Sequence, residues 1–98
     1  MLLEKVIQMK IKDNFVLRDV CGENVIIAEG VENIDFSKII SLNDTAAFLW
    51  KKAKDKGEFT YDNLADELCA EYEVEKEQAE IDVRTVVDAW KKEGLVAE

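Results

Sequence analysis

Ninety-eight residues carry a net charge of −9, with 22 acidic side chains against 13 basic ones, so phosphate backbones are repelled and a nucleic-acid partner is not expected. A chain of this length buries about 60–65% of the surface its unfolded form exposes, which allows one modest core and a single domain. No His is present, Cys21 and Cys69 match no CxxC spacing, and no apolar run nears the roughly 18 residues of a membrane span, so zinc sites, imidazole chemistry and a membrane partner are all disfavoured.

The N-terminal "MLLEKVIQMKIKD" alternates charged and apolar residues and has no signal-peptide core, so export is not expected and a reducing cytoplasm fits. "NFVLRDVCGENVIIAEG" reads as a β-hairpin: Phe15, Leu17 and Val20 alternate with polar residues, "CGEN" is turn chemistry, and "VIIAE" is the return strand. "GVENIDFSK" is an irregular connection, and "KIISL" is a short β-branched strand, the third of a small antiparallel sheet. Both cysteines sit in apolar patterns and are expected as small core residues.

Three helices follow. Asn43 is a good N-cap, because its side-chain oxygen accepts from an otherwise unpaired N–H of the first turn. Ala46, Leu49, Trp50 and Ala53 form the apolar stripe, and Gly57 ends the helix. Thr60 caps the second helix, whose stripe is Leu64, Ala65, Leu68, Cys69 and Tyr72. The third spans residues 75–93 with the stripe Ala79, Val83, Val86, Val87 and Trp90, Gly94 closing it and Leu95-Val96 packing back. Three strands then three helices, with short links, predict an α+β, winged helix-turn-helix-like domain. Ile81 lies off the main stripe, on a second helical face with Arg84, Thr85 and Asp88.

Reactive constellations are scarce. The sequence has no Gly-rich phosphate loop, nucleophile elbow or Cys/His pairing. Residues 58–98 hold thirteen carboxylates against four bases, which suits a solvated face better than an acid–base pair. Glu71, Glu73, Glu75 and Glu77 lack the Asp/Asn ladder and Gly of a calcium loop. Neither catalysis, a metal nor a cofactor is expected.

Two surface-based readings remain. A helix-turn-helix would send the third helix into a DNA groove as part of a transcription regulator, but the half that must meet the bases, "EKEQAEIDVR", is acidic. Alternatively, "KIISL" offers its outer edge to an extended peptide, main-chain hydrogen bonds setting register and side-chain pockets setting specificity. An edge covered by a loop or by the N-terminal "LLEKVIQMKI", or one that pairs two copies into a homodimer, are the competing uses.

The ordered set Leu42-Asn43, Thr45-Ala46, Leu49-Trp50, Leu64-Ala65, Leu68, Tyr72, Val74, Asp82-Val83, Val86-Val87, Trp90 and Gly94-Leu95 resembles the PqqD family, over about residues 12–97. That resemblance implies one recognition domain over residues 1–98, with 1–11 as an N-terminal extension. It implies a non-enzymatic adaptor that binds the leader of a ribosomally made precursor peptide by strand addition. The bound leader would be presented to a modifying enzyme, commonly a radical S-adenosylmethionine protein. The type member serves biosynthesis of pyrroloquinoline quinone (PQQ), but many other peptide pathways use similar domains. Carried onto matching positions, the leader contacts are Lys38, Ile39, Ile40 and Ser41 on the strand, and Ile81, Arg84, Thr85 and Asp88 on the helix. The chain departs from the pattern in the long "EGVENIDFSK" connection, in about a dozen residues before the usual start, and in Trp90 where leucine is more frequent. No enzyme domain is attached, so the modifying enzyme is expected as a separate chain.

Overall fold

The alternating residues that end at Leu42 and the helically spaced ones that follow Asn43 form a strand joined directly to a helix. The computed structural model describes residues 8–28 and 39–98. Its elements are β1 (Met9–Ile11), β2 (Phe15–Val20), β3 (Glu23–Ala28), β4 (Ile40–Leu42), α1 (Asp44–Lys56), β5 (Glu58–Phe59), α2 (Tyr61–Glu71), α3 (Lys76–Lys92) and β6 (Val96–Ala97). The whole 29–38 connection, Lys38 included, lies outside the described residues, as do residues 1–7 of the expected N-terminal extension.

The expected α+β architecture is observed. β2, β3 and β4 form an antiparallel sheet in that order, so β4 is an edge strand among the described residues. Cys21 and Gly22, with φ of 55° and 84°, make the two-residue turn between β2 and β3, the paired positive φ values that match the strand twist. The turn corrects two expectations. Cys21 is an exposed turn residue with no disulfide, not core, and Val20 is 48% exposed because it stands on the opposite side of the strand from Phe15 and Leu17.

Each helix stops and starts where local chemistry dictates. Asn43 Oδ1 accepts the Ala46 N–H at 2.8 Å. Thr60 and Asn63 form a reciprocal capping box. Gly94, at φ 78°, lets the chain turn back after α3: its N–H reaches the Lys91 carbonyl at 3.0 Å and the Leu95 N–H reaches the Trp90 carbonyl at 2.9 Å. This Schellman pattern places buried Leu95 beside Trp90. Tyr72, expected on the buried stripe of α2, is its C-cap and 42% exposed, its ring edge-on to Phe48 at 5.5 Å.

A second sheet is present that the sequence pattern does not announce. β1 lies between β5 and β6, antiparallel to both, with Met9 opposite Phe59 and Ile11 opposite Val96. Met9 and Ile11 are buried and Lys10 is exposed, as the alternation of a strand requires. Residues 9–11, expected within an N-terminal extension, instead tie the segment after α1 to the segment after α3. The core lies where the helices meet, with Trp50 and Trp90 edge-to-face at 5.2 Å and Leu49, Phe59, Leu64, Val83, Val87 and Leu95 fully buried around them. Such an aromatic pair contributes about 0.5–1.5 kcal/mol beyond its buried area.

Candidate functional site: the β4 edge and its groove

The free side of β4 follows from the hairpin geometry. A two-residue turn is closed by a hydrogen-bonded pair, here Val20 and Glu23, and such pairs alternate along an antiparallel ladder. Val25 therefore bonds back to β2, while Asn24 and Ile26 turn their main-chain groups to β4. Their partners are Leu42 and Ile40. Ser41, opposite Val25, is left with its N–H and C=O directed away from β3. Among the described residues no strand pairs with that side. β1, whose segment was one expected cover for the edge, pairs with β5 and β6 instead.

Beside this edge runs a groove of about 250 Å³ between β4 and the C-terminal half of α3. Ile40, Ser41, Leu42, Asn43 and Ala46 line one wall, and Thr85, Val86, Ala89, Trp90 and Glu93 the other. Its surface is mostly apolar. Sites for whole small molecules hold about 300–1,000 Å³, so this volume suits individual side chains from an extended chain better. The groove exists because β4 leads without a loop into α1, and α3 packs across the helices at Val83, Val87 and Trp90. The strand edge and the helix flank are thereby held apart by a fixed core.

The structure divides the residues named from the sequence. Ile40, Ser41 and Thr85 meet in the groove. Ile39, 37% exposed, precedes β4. Ile81, Arg84 and Asp88, expected on the same groove wall, share a second depression with Glu77, Glu80 and Thr85. At 3.6 residues per turn Arg84 stands about 160° round the helix from Val86. Its guanidinium lies 4.4 Å from the centre of the Tyr61 ring at the start of α2. The Tyr61 hydroxyl donates to Asp88 Oδ1 at 2.6 Å and accepts from Lys91 Nζ at 2.8 Å. Lys91 also bonds Glu98 at 2.7 Å, and this carboxylate first, then Tyr61, raises the Lys91 pKa. Of the four helix residues named, only Thr85 touches both depressions.

Leu42, Asn43, Ala46, Val86, Ala89, Trp90 and Glu93 join the site although the sequence does not single them out for it. Val86 carries a signal, since it is the one member of the α3 stripe that is only half-buried, at the stripe's margin. Glu93 carries none, because the crossing of α3 over β4 decides which flank faces the strand. Among the described residues no group of three or more His, Cys, Asp or Glu side chains is placed to hold a metal.

Known proteins with a similar fold include a solved structure of lasso peptide synthetase B1 complexed with the leader peptide. It is 23% identical with a TM-score of 0.68, over 92% of this chain and 98% of that one. TbiB1 in complex with the TbiA(beta) leader peptide is likewise 23% identical, with a TM-score of 0.67 over 89% and 93% of the two chains. At this identity the likeness concerns the fold. No curated protein matches the sequence. From β3 through the first residue of β6, residues 23–96 match the family model described as Coenzyme PQQ synthesis protein D (PqqD), and the chain belongs to that family.

Proposed function

We propose that this protein is a non-enzymatic peptide-recognition module that captures the leader segment of a ribosomally made precursor by adding it as a strand to β4. One observation carries the reading: the outward main chain of Ser41 borders an apolar groove, the two elements that strand addition requires. Family membership supports it, as do the leader peptides bound to proteins of the same fold. Lys38, Ile39, Ile40 and Ser41 are the proposed strand contacts, with Thr85, Val86 and Trp90 receiving side chains. Ile81, Arg84 and Asp88 then lie beyond the groove, in the second depression along α3. The module works in the cytoplasm and hands its guest to a separate modifying enzyme, of the radical S-adenosylmethionine kind. No helix among the described residues is long and apolar enough to cross a membrane.

A DNA-binding role fits poorly. The exposed side of α3 carries Glu77, Glu80 and Asp88, and its Arg84 is committed to Tyr61. A homodimer through β4 would occupy the same edge as the guest, so peptide would dissociate it in sedimentation.

Calorimetric titration with the precursor-like peptide encoded beside the gene tests the reading. Proline at an outward position of an edge strand removes only an unpaired N–H. Ser41→Pro is therefore expected to keep the thermal midpoint and to weaken peptide binding about tenfold or more, through lost hydrogen bonds and ring bulk. Ile40→Pro, by contrast, breaks the ladder to β3 and lowers the midpoint. Unchanged affinity in a folded Ser41→Pro protein would exclude strand addition at β4.

A further inference from the structure

The groove's polar groups are unequally occupied. Asn43 Oδ1 is spent on the Ala46 N–H, and the Thr85 hydroxyl donates to the Ile81 carbonyl at 2.9 Å. Ile40, Leu42, Val86 and Trp90 contribute apolar surface. Glu93 differs: its carboxylate has no hydrogen bond or ion pair with any described residue, although it lines the groove. It is also the C-cap of α3, where the last carbonyls already concentrate negative potential. An unpaired carboxylate at that end is unfavourable unless a cation joins it. Lys91, a basic residue of the last turn, is drawn to Glu98 and Tyr61 on the other flank. Lys92 stands about 100° round the helix from Glu93 and forms no ion pair with it.

We infer that the groove selects an extended peptide in which a Lys or Arg lies at an even spacing from an apolar anchor, and that Glu93 reads the basic residue. This inference rests on the strand-addition reading above. The spacing follows from two rises. Val86 and Glu93 are about 10.5 Å apart along the helix axis at 1.5 Å per residue. In a strand, residues on one face recur about every 6.7 Å, so positions two and four from an anchor over Val86 bracket Glu93. The anchor fills the apolar floor, and the cation pairs with the carboxylate at the negative end of the helix dipole.

Selection from a displayed library of short random peptides tests this with no guest sequence assumed. The wild-type protein is expected to enrich an apolar residue with Lys or Arg at an even offset. Glu93→Lys is expected to keep the apolar preference and enrich Asp or Glu at that offset, while Glu93→Gln shows no charge preference there. An individual selected peptide is expected to lose about two- to fivefold in affinity for Glu93→Gln at low salt, the range of an exposed ion pair. Enrichment of Lys or Arg at the same offset by Glu93→Lys overturns the role of Glu93, as does a wild-type selection with no basic preference. The underlying reading is tested separately with Ser41→Pro. If that variant binds the selected peptides as tightly as wild type, strand addition fails whatever Glu93 does.

Discussion

Ser41 and Asn43 lie two positions apart and do different work. Ser41 contributes its main chain to solvent, so its side chain is open to change and its N–H is not. Asn43 joins strand to helix: its side chain bonds the first turn of α1, and its carbonyl accepts the Ala47 N–H at 2.9 Å. Asn43→Ala is expected to destabilise the protein by about 1 kcal/mol, read as a fall in thermal midpoint of about 4–8 °C. Asn43→Asp should restore most of it, and an unaltered midpoint in the alanine variant would show the cap to be idle. Asn43 is legible in the sequence because caps are written in local chemistry, whereas Ser41 enters through the reading of "KIISL" as an edge strand and through the family resemblance. Cys21 is misleading for the opposite reason: composition suggests a small core residue, while the turn's demand for two positive φ values decides its place.

Among the elements, α3 connects the fold to the site. Its inner residues pack the core, the flank at Thr85, Val86, Ala89 and Glu93 faces β4, and the flank at Arg84 and Asp88 faces Tyr61. Helical spacing shows which residues leave the core stripe but not which neighbour they meet. That is why the contacts carried over from the family resemblance include Arg84, which lies outside the groove, and leave out Glu93, which lines it. β1 is hidden for a related reason: three residues carry too little periodicity, and their partners lie near positions 58 and 96. The turn after α3 depends on Gly94. A Cβ there meets no atom within 4 Å, so Gly94→Ala costs only the left-handed conformation, about 1–2 kcal/mol by chemical denaturation. A larger loss would mean that β6 detaches with the turn.

For the whole molecule, an acidic chain with its bases set against particular carboxylates is expected to be acid-sensitive. Lys56 at 3.1 Å and Lys52 at 3.7 Å flank Glu67 across α1 and α2, and the Lys56 hydrogen bond first holds the Glu67 carboxyl below its ordinary range. A carboxyl depressed in the folded state contributes stability above its unfolded value, and loses it as pH falls through the folded one. Denaturation midpoints should therefore fall with pH below about 4.5, and Glu67→Gln should reduce that slope. A slope identical to wild type would assign the acid sensitivity to other groups. The central claim is that a guest main chain completes β4, and amide hydrogen exchange of the intact protein tests it most directly. In the free protein Ile40 and Leu42, bonded to β3, are expected to exchange slowly and Ser41 quickly. Saturating peptide should slow Ser41 by an order of magnitude or more, whereas a Ser41 amide that still exchanges at the free rate in the saturated complex would contradict the account.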